Sequence, residues 1–477
     1  MSKNNNKAKN SELDFVSPIV ETLTPIVEEC MKLIATFIQF LLKKLFQYVE
    51  VRFFNRYQVA PIKAKALRSK NTSELISTLG FSVNHNTPFK ASELNTRKHT
   101  AIIGSTGSGK TVCTYILIEH ALKKGMPVIY FDPKASTENI KTFKRICDAN
   151  KKKLYVFSDI EAHKTSFNPL LGGNLGDISD KIINALEWSE PFYKNESIEA
   201  LDDVLSALSY SNTTITLEAI VQELKKHKNF KNIKGLYNQL SKVVTSEYGS
   251  LLNSKSKDTL SFNRLRLEEA CLYIGISAMG HSSSGSILNK IFFGGLLTHA
   301  KESLIGKVQG LKNPQDKPIS IFFDELSSTI HAGFIDLQNK CRQAGMEITY
   351  VTQGPSDIDR ISPTLTAQIF ENTNNLFIFN QIVPSHTEFF ARMFGTINTE
   401  KKTHVIDNDQ RQSMGTVREV EEFLVHSNIL RNLRVGQCVF LQREPKRIDL
   451  LNVRYWKAPK HMIQHHIAGS EASSIFN

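Results

Sequence analysis

The stretch Gly104-Ser105-Thr106-Gly107-Ser108-Gly109-Lys110-Thr111 restricts the fold of this 477-residue chain more than any other. It fits G-x-x-x-x-G-K-[ST], it follows the apolar run Thr100–Ile103 directly, and Val112 to Leu122 after it reads as a helix. Strand, glycine loop and helix in that order are what a phosphate group requires. Glycines let backbone N–H groups turn inward around the oxygens, and the helix N-terminus adds partial positive charge. In such a loop Lys110 reaches the β- and γ-phosphates and the Thr111 hydroxyl holds Mg²⁺, so ATP and Mg²⁺ are the expected ligands. The plain alternative is a turn rich in glycine and serine, and the flanking strand and helix count against it.

The remaining chain supplies a sheet for that strand. Apolar runs recur at Val128–Phe131, Leu154–Phe157, Leu272–Ile276, Ile319–Phe323, Ile348–Val351, Leu376–Phe379 and Cys438–Leu441, with helical patterns between them. This alternation is the signature of an α/β fold with a mainly parallel sheet. Between Ile178 and about Arg266 the strand rhythm stops and helical spacing takes over, as in Leu201, Val204, Leu205 and Leu208. The expected organisation is a nucleotide-binding domain over 96–177 and 267–459, an all-helical insertion over 178–266, an N-terminal segment over 1–95 and a tail over 460–477.

Charge and cysteine usage narrow the setting. A formal net charge of +12 suits a polyanionic partner or a membrane surface. The six cysteines are isolated, so no disulfide framework or structural zinc site is expected. Leu33 to Leu42 is apolar for only ten residues, where a spanning helix needs about twenty. Around it, Ile19 to Phe54 alternates apolar and charged residues at helical spacing, and Lys43 to Lys70 holds eight Lys or Arg against one acid, Glu50. That pattern fits a helix lying on an anionic membrane face, and equally one packed on its own protein or on a neighbouring subunit.

A phosphate loop needs an acidic partner at the end of a nearby strand. Ile319 to Phe323 ends in Asp324-Glu325, with Asp324 as the expected metal-side acid and Glu325 as the general base. Val351-Thr352-Gln353 closes the next strand, where the Gln353 amide is placed to sense the γ-phosphate. Arg342 lies at the end of the intervening helix; it is either a surface arginine or one that reaches the triphosphate of an adjacent subunit.

Together, GSTGSGKT (104–111), IYFDPK (129–134), SFNPL (166–170), FFDEL (322–326), RQAGMEITYVTQGPSDI (342–358), NTNNLFIF (372–379) and GTVREVEEFLVHSNILRNLRVGQ (415–437) resemble the TraG/TraD-like type IV coupling proteins of conjugation systems. These belong to the FtsK–HerA branch of RecA-like P-loop ATPases, and the resemblance spans roughly residues 96 to 445. It implies a RecA-like fold whose helical insertion matches the family's all-alpha domain. It also implies a ring, usually hexameric, at the cytoplasmic face of the bacterial inner membrane. There, ATP hydrolysis drives single-stranded DNA, led by its relaxase, into a type IV secretion channel.

Carried over by residue, Gly104, Gly109, Lys110 and Thr111 take phosphate and Mg²⁺, Asp324 and Glu325 the metal and base roles, Gln353 the sensor role, and Arg342 the trans-acting role. Asp132-Pro133-Lys134 is a family landmark that reads locally as a tight turn. The chain departs from the family in lacking a convincing spanning helix near its N-terminus. It also carries Asn380-Gln381 where relatives often have an arginine. Rival readings are a HerA-like or viral double-stranded DNA packaging translocase, and an ATP-controlled platform that recruits protein cargo to a secretion channel. A small-molecule kinase is disfavoured, because nothing resembles a lid or a second-substrate pocket.

Overall fold

The computed structural model describes residues 27, 29–42, 45, 61–68, 78–160, 164–252, 259–277, 282–308, 310–330, 333–407 and 410–456. It divides into two units, 1–58 and 59–477. In the first, residues 29–42 form helix α1, with Leu33, Ile34, Phe37, Ile38 and Leu41 all exposed. Among the described residues no helix is long and apolar enough to cross a membrane. Most of the basic stretch from Lys43 to Lys70 and the tail after Pro459 fall outside the described residues.

The second unit is built on an eleven-stranded sheet in the order β2-β1-β13-β12-β9-β3-β8-β7-β4-β6-β5. Its strands are β1 (Thr78–Ser82), β2 (Thr87–Lys90), β3 (Thr100–Ile103), β4 (Val128–Asp132), β5 (Leu154–Ser158), β6 (Cys271–Gly275), β7 (Ile319–Phe323), β8 (Met346–Thr352), β9 (Asn375–Ile378), β12 (Gln437–Gln442) and β13 (Arg447–Val453). From β9 through β5 every pairing is parallel, whereas β12, β13, β1 and β2 continue antiparallel. All of β3, β4, β6 and β7 is buried, which is why these strands are mostly apolar, with Thr100, Asp132 and Ser320 the polar exceptions. The long hairpin of β10 (Thr396–Asp407) and β11 (Gln410–Phe423), which carries the GTVREVEEF run, forms a separate two-stranded sheet.

The expected strands are all present, and the fold is the expected α/β one with a mainly parallel central sheet. One difference concerns residues 78–90, which join this sheet through β13 instead of standing apart with the N-terminal segment. Their signal is weak because β1 contains Gly80 and the edge strand β2 contains Pro88. A side chain at Gly80 would stand 2.3 Å from the Asn452 carbonyl oxygen, so close strand approach selects glycine there.

Helices cover both faces. On one lie α2 (Lys110–Lys123) and α3 (Thr137–Ala149), packed on Ile102, Val128, Tyr130 and Tyr273. Between β5 and β6 the regular elements described are α4 (Leu175–Ile183), α5 (Pro191–Tyr210), α6 (Leu217–Leu224), α7 (Lys234–Val244), α8 (Gly249–Leu252) and α9 (Phe262–Leu267), all helical. Local chemistry sets their starts: a capping box of Asn174 and Asp177 on α4, Pro191 at the first turn of α5, and the Thr216 hydroxyl capping α6. Both α4 and α7 pack on the long α10 (Ser282–Leu304). The SFNPL segment serves this packing: Phe167 meets Phe262 and Phe292 at ring-centroid distances of 4.9 and 5.0 Å. The remaining helices are α11 (Phe334–Cys341), α12 (Pro355–Asp359), α13 (Pro363–Glu371), α14 (Pro384–Phe394) and α15 (Ser427–Arg431).

Candidate nucleotide site

The loop after β3 takes the backbone course its glycines permit. Gly107 and Gly109 have φ of +76° and +110°, a region that side-chain-bearing residues enter only at a cost. Gly104 is required for space: a Cβ there would lie 2.6 Å from the Phe379 Cβ and 2.8 Å from the Ser108 hydroxyl. Helix α2 then starts from Gly109 with no side-chain cap, which leaves its N-terminal turn suited to an anion. The Lys110 ammonium donates to the carbonyls of Gly104 and Ser105 at 2.5 and 2.9 Å. Burial, opposed by the Glu325 charge, holds its pKa below the usual lysine value.

At the end of β7, Asp324 is buried and Glu325 turns into the left-handed region at φ +66°. Burial pushes the Asp324 carboxyl up to about 6, against the lowering effect of Lys134. The Tyr130 hydroxyl donates to Asp324 Oδ2 at 3.3 Å, and Lys134 Nζ lies 4.0 Å from the same oxygen. Strand β8 separates β7 from β3, so the acids and the phosphate loop share the carboxyl edge of the sheet with one strand between them. Gln353 follows that strand, and its amide lies 3.5 Å from Glu325 Oε1. Lys110, Asp324, Glu325 and Gln353 therefore all belong to one edge.

Arg342 does not. It caps the C-terminus of α11, ahead of β8, and with Arg97, Lys124 and Glu347 lines a cavity of about 330 Å³ at the amino ends of the strands. The length of β8 separates it from Gln353, about 20 Å at ~3.3 Å per residue. An arginine so placed serves no phosphate in its own chain's loop.

Three residues outside the sequence reading of the site hold the loop in place. The Ser105 N–H donates to the Asn380 carbonyl at 2.9 Å, and Asn380 Nδ2 donates to the carbonyls of Arg431 and Leu433. Gln381 Nε2 donates to the Gln353 carbonyl at 2.9 Å. The Gly436 N–H donates to the Ser108 carbonyl at 2.9 Å. The departure from the family at Asn380-Gln381 is the signal for two of them, and Gly436 has none.

Two lysine-rich runs, 151–153 and 225–228, contain lysines paired with acids. Lys152 and Lys153 lie 3.6 and 3.0 Å from Glu269 and Glu268, and Lys226 and Lys228 lie 2.7 and 4.0 Å from Glu223 and Asp203. Among the described residues no cluster of three or more acidic, histidine or cysteine side chains could hold a metal by itself. Mg²⁺ needs none, since one or two carboxylates with substrate phosphates suffice. The buried carboxylate of Asp324, at the same sheet edge as the loop that carries Thr111, fits that requirement.

Comparison with known proteins follows the same lines. The family model described as Helicase HerA, central domain, matches residues 89–262, and the TraM recognition site of TraD and TraG matches residues 318–434. No curated protein matches the chain. Among solved structures, the unbound bacterial conjugative coupling protein TrwBdeltaN70 aligns at a TM-score of 0.60 and 14% identity, covering 84% of this chain and 94% of that one. TrwB in complex with ADP and Mg²⁺ aligns at 0.58 and 14% over the same shares. VirB4 of Thermoanaerobacter pseudethanolicus aligns at 0.53 and 12%, covering 80% of this chain and 97% of that one. The fold is the RecA-like P-loop fold of these structures. With one segment matching the HerA central domain and another matching TraD and TraG, the chain is similar to TraG/TraD-like coupling proteins of the FtsK–HerA branch.

Proposed function

We propose that the chain is an ATP-hydrolysing motor that moves single-stranded DNA, with its attached relaxase, toward a type IV secretion channel. The observation that carries this reading is the meeting of Lys110, Asp324, Glu325 and Gln353 at one sheet edge, in a chain of the coupling-protein family. Gly104 to Thr111 would wrap the phosphates, with Thr111 and Asp324 holding Mg²⁺. Mg²⁺ held by these two residues would supply charge neutralisation on the triphosphate. Glu325 accepts a proton from the attacking water, whose oxygen bonds to the γ-phosphorus as the bridging P–O bond breaks and its electron pair leaves on ADP. Gln353, in amide contact with Glu325, reports the loss of the terminal phosphate.

Arg342 would complete the site of the next subunit in a ring, a role consistent with its position at the opposite sheet edge. Residues 178–266 are read as the family's all-alpha domain, and α1, with its exposed apolar side chains, as the contact with membrane or a neighbouring protein.

Steady-state ATPase with and without single-stranded DNA, over a salt series and with Glu325→Gln as blank, tests this. Stimulation that fades as salt rises supports a motor gripping phosphates. Real turnover with no DNA effect instead supports a platform for protein cargo.

A further inference from the structure

The Asp132-Pro133-Lys134 turn adjoins the site without a part in the mechanism above. Strands β4 and β7 pair with Phe131 opposite Phe323, so the residues that follow, Asp132 and Asp324, end side by side. Asp132 is almost wholly buried and saturated with donors. Its Oδ1 accepts from the Lys134 N–H at 2.9 Å, and its Oδ2 accepts from Asn139 Nδ2 at 2.8 Å and from the Tyr273 hydroxyl at 2.5 Å. Asn139 is held in turn by the Tyr115 hydroxyl at 2.7 Å. The turn closes with the Ala135 N–H on the Asp132 carbonyl at 3.2 Å and Ala135 at φ +48°. A carboxylate engaged in this way has little left for a ligand; its effect is to fix the backbone of Lys134.

Lys134 contrasts with that rigidity. Its side chain is half exposed, and its ammonium reaches Asp324 Oδ2 only at 4.0 Å, the loose end of ion pairing. Such a pair contributes little to stability. Lys134 and Lys110 also act on each other through space, so two ammonium groups face the region bounded by Asp324 and Glu325.

We propose that Lys134 is a further catalytic residue, a second lysine that would leave Asp324 for the terminal phosphate once that carboxylate is engaged in holding Mg²⁺. The proposal rests on the ATPase reading of this site. The division of labour is between a fixed lysine and a transferable one. Lys110, anchored in the loop, serves the phosphates of ADP and ATP alike, whereas Lys134 meets only the γ-phosphate and neutralises the charge it gathers as its bond breaks.

The test is Lys134→Ala and Lys134→Arg in the full chain, with Lys110→Ala as reference. Equilibrium binding of Mg·ADP and of a non-hydrolysable Mg·ATP analogue is measured alongside single-turnover hydrolysis. Lys134→Ala should bind Mg·ADP within about threefold of wild type, lose about tenfold or more for the triphosphate, and slow single turnover about a hundredfold, the usual effect of removing one donor to transition-state charge. Lys134→Arg, which keeps the charge, should recover part of both losses. An equal loss of affinity for the two nucleotides, or hydrolysis within about threefold of wild type while Lys110→Ala is inactive, overturns the Lys134 assignment alone. Wild-type turnover in Lys110→Ala would overturn the underlying ATPase reading, and the proposal with it.

Discussion

Asp324→Asn should make the metal-free protein more stable while abolishing hydrolysis. Asp324 is 3% exposed, and the polar groups nearest its carboxylate are the Tyr130 hydroxyl at 3.3 Å and the Lys134 ammonium at 4.0 Å. Burial raises its pKa from the ordinary 3.8 to about 6, with the neighbouring Asp132 and Glu325 charges adding to the rise. A carboxyl whose folded pKa lies above its unfolded one binds its proton more tightly when folded. Its stability deficit is therefore absent below the unfolded pKa, grows as pH climbs through the window between the two values, and stays constant above. At roughly 1.4 kcal/mol for each tenfold in proton affinity, the full deficit is about 3 kcal/mol at neutral pH.

Asparagine removes the charge and keeps an oxygen for Tyr130. The urea midpoint of Asp324→Asn in chelator, without nucleotide, should exceed that of wild type at pH 7.5, and the gap should close toward pH 4. Mg·ATP at about a thousand times its wild-type Kd should reverse the order, because it stabilises its binder by about 4.1 kcal/mol, more than the deficit, and the variant lacks the charged oxygen that would hold the metal. A variant less stable than wild type in chelator at pH 7.5, or a gap that ignores pH, would refute the reasoning.

Gly109→Ala forces a side chain into φ +110° with the Gly436 N at 3.1 Å, so nucleotide affinity measured by titration should fall at least tenfold, about 1.4 kcal/mol. Arg266, wholly buried, gives hydrogen bonds to the carbonyls of Lys317, Pro314 and Ala344 and to the Ser303 hydroxyl. Arg266→Met strands these acceptors and should cost about 3–5 kcal/mol by denaturant titration; a loss below about 1 kcal/mol would show that they re-pair. Arg342→Ala and Lys110→Ala should each be inactive alone, yet mixing them should restore part of the ATPase if Arg342 acts across subunits, and no rescue would leave it a surface arginine.

What the sequence made legible were the features with local causes. The strands β3, β4, β6 and β7 are buried on both faces, so they are apolar over most of their length, a pattern visible without knowledge of partners. The phosphate loop is equally local, since its glycines answer to their own φ and to close neighbours. The acid pair was visible because an apolar run ends on it. Long-range causes left no such trace. Tyr130 and Tyr273 look like ordinary apolar strand residues, yet their hydroxyls reach Asp324 and Asp132. Nothing in TLGFS shows that Gly80 must admit the Asn452 carbonyl more than 350 residues later, as 452 − 80 makes plain.

Asn380 shows why one departure from the family pattern is chemically coherent here. Relatives often carry an arginine at this point, a side chain that only donates. In this chain the residue has work of both kinds. Its Nδ2 donates to the carbonyls of Arg431 and Leu433, while its Oδ1 faces the Ser105 hydroxyl at 3.5 Å and its backbone carbonyl accepts from the Ser105 N–H. An amide can donate and accept at once; a guanidinium could serve the two carbonyls but offers no acceptor for the Ser105 hydroxyl proton. The phosphate loop is thereby tied to α15 and the turn after it, and Gly436 adds a second tie at Ser108. Gln381 extends the same path to the Gln353 carbonyl, on the residue whose amide meets Glu325. The loop is thus bonded both to the residue before Gln381 and to the segment that leads from the β10–β11 hairpin into β12. On the proposed function, these hydrogen bonds would link the loop to the base side of the site, where the family pattern has a single cation.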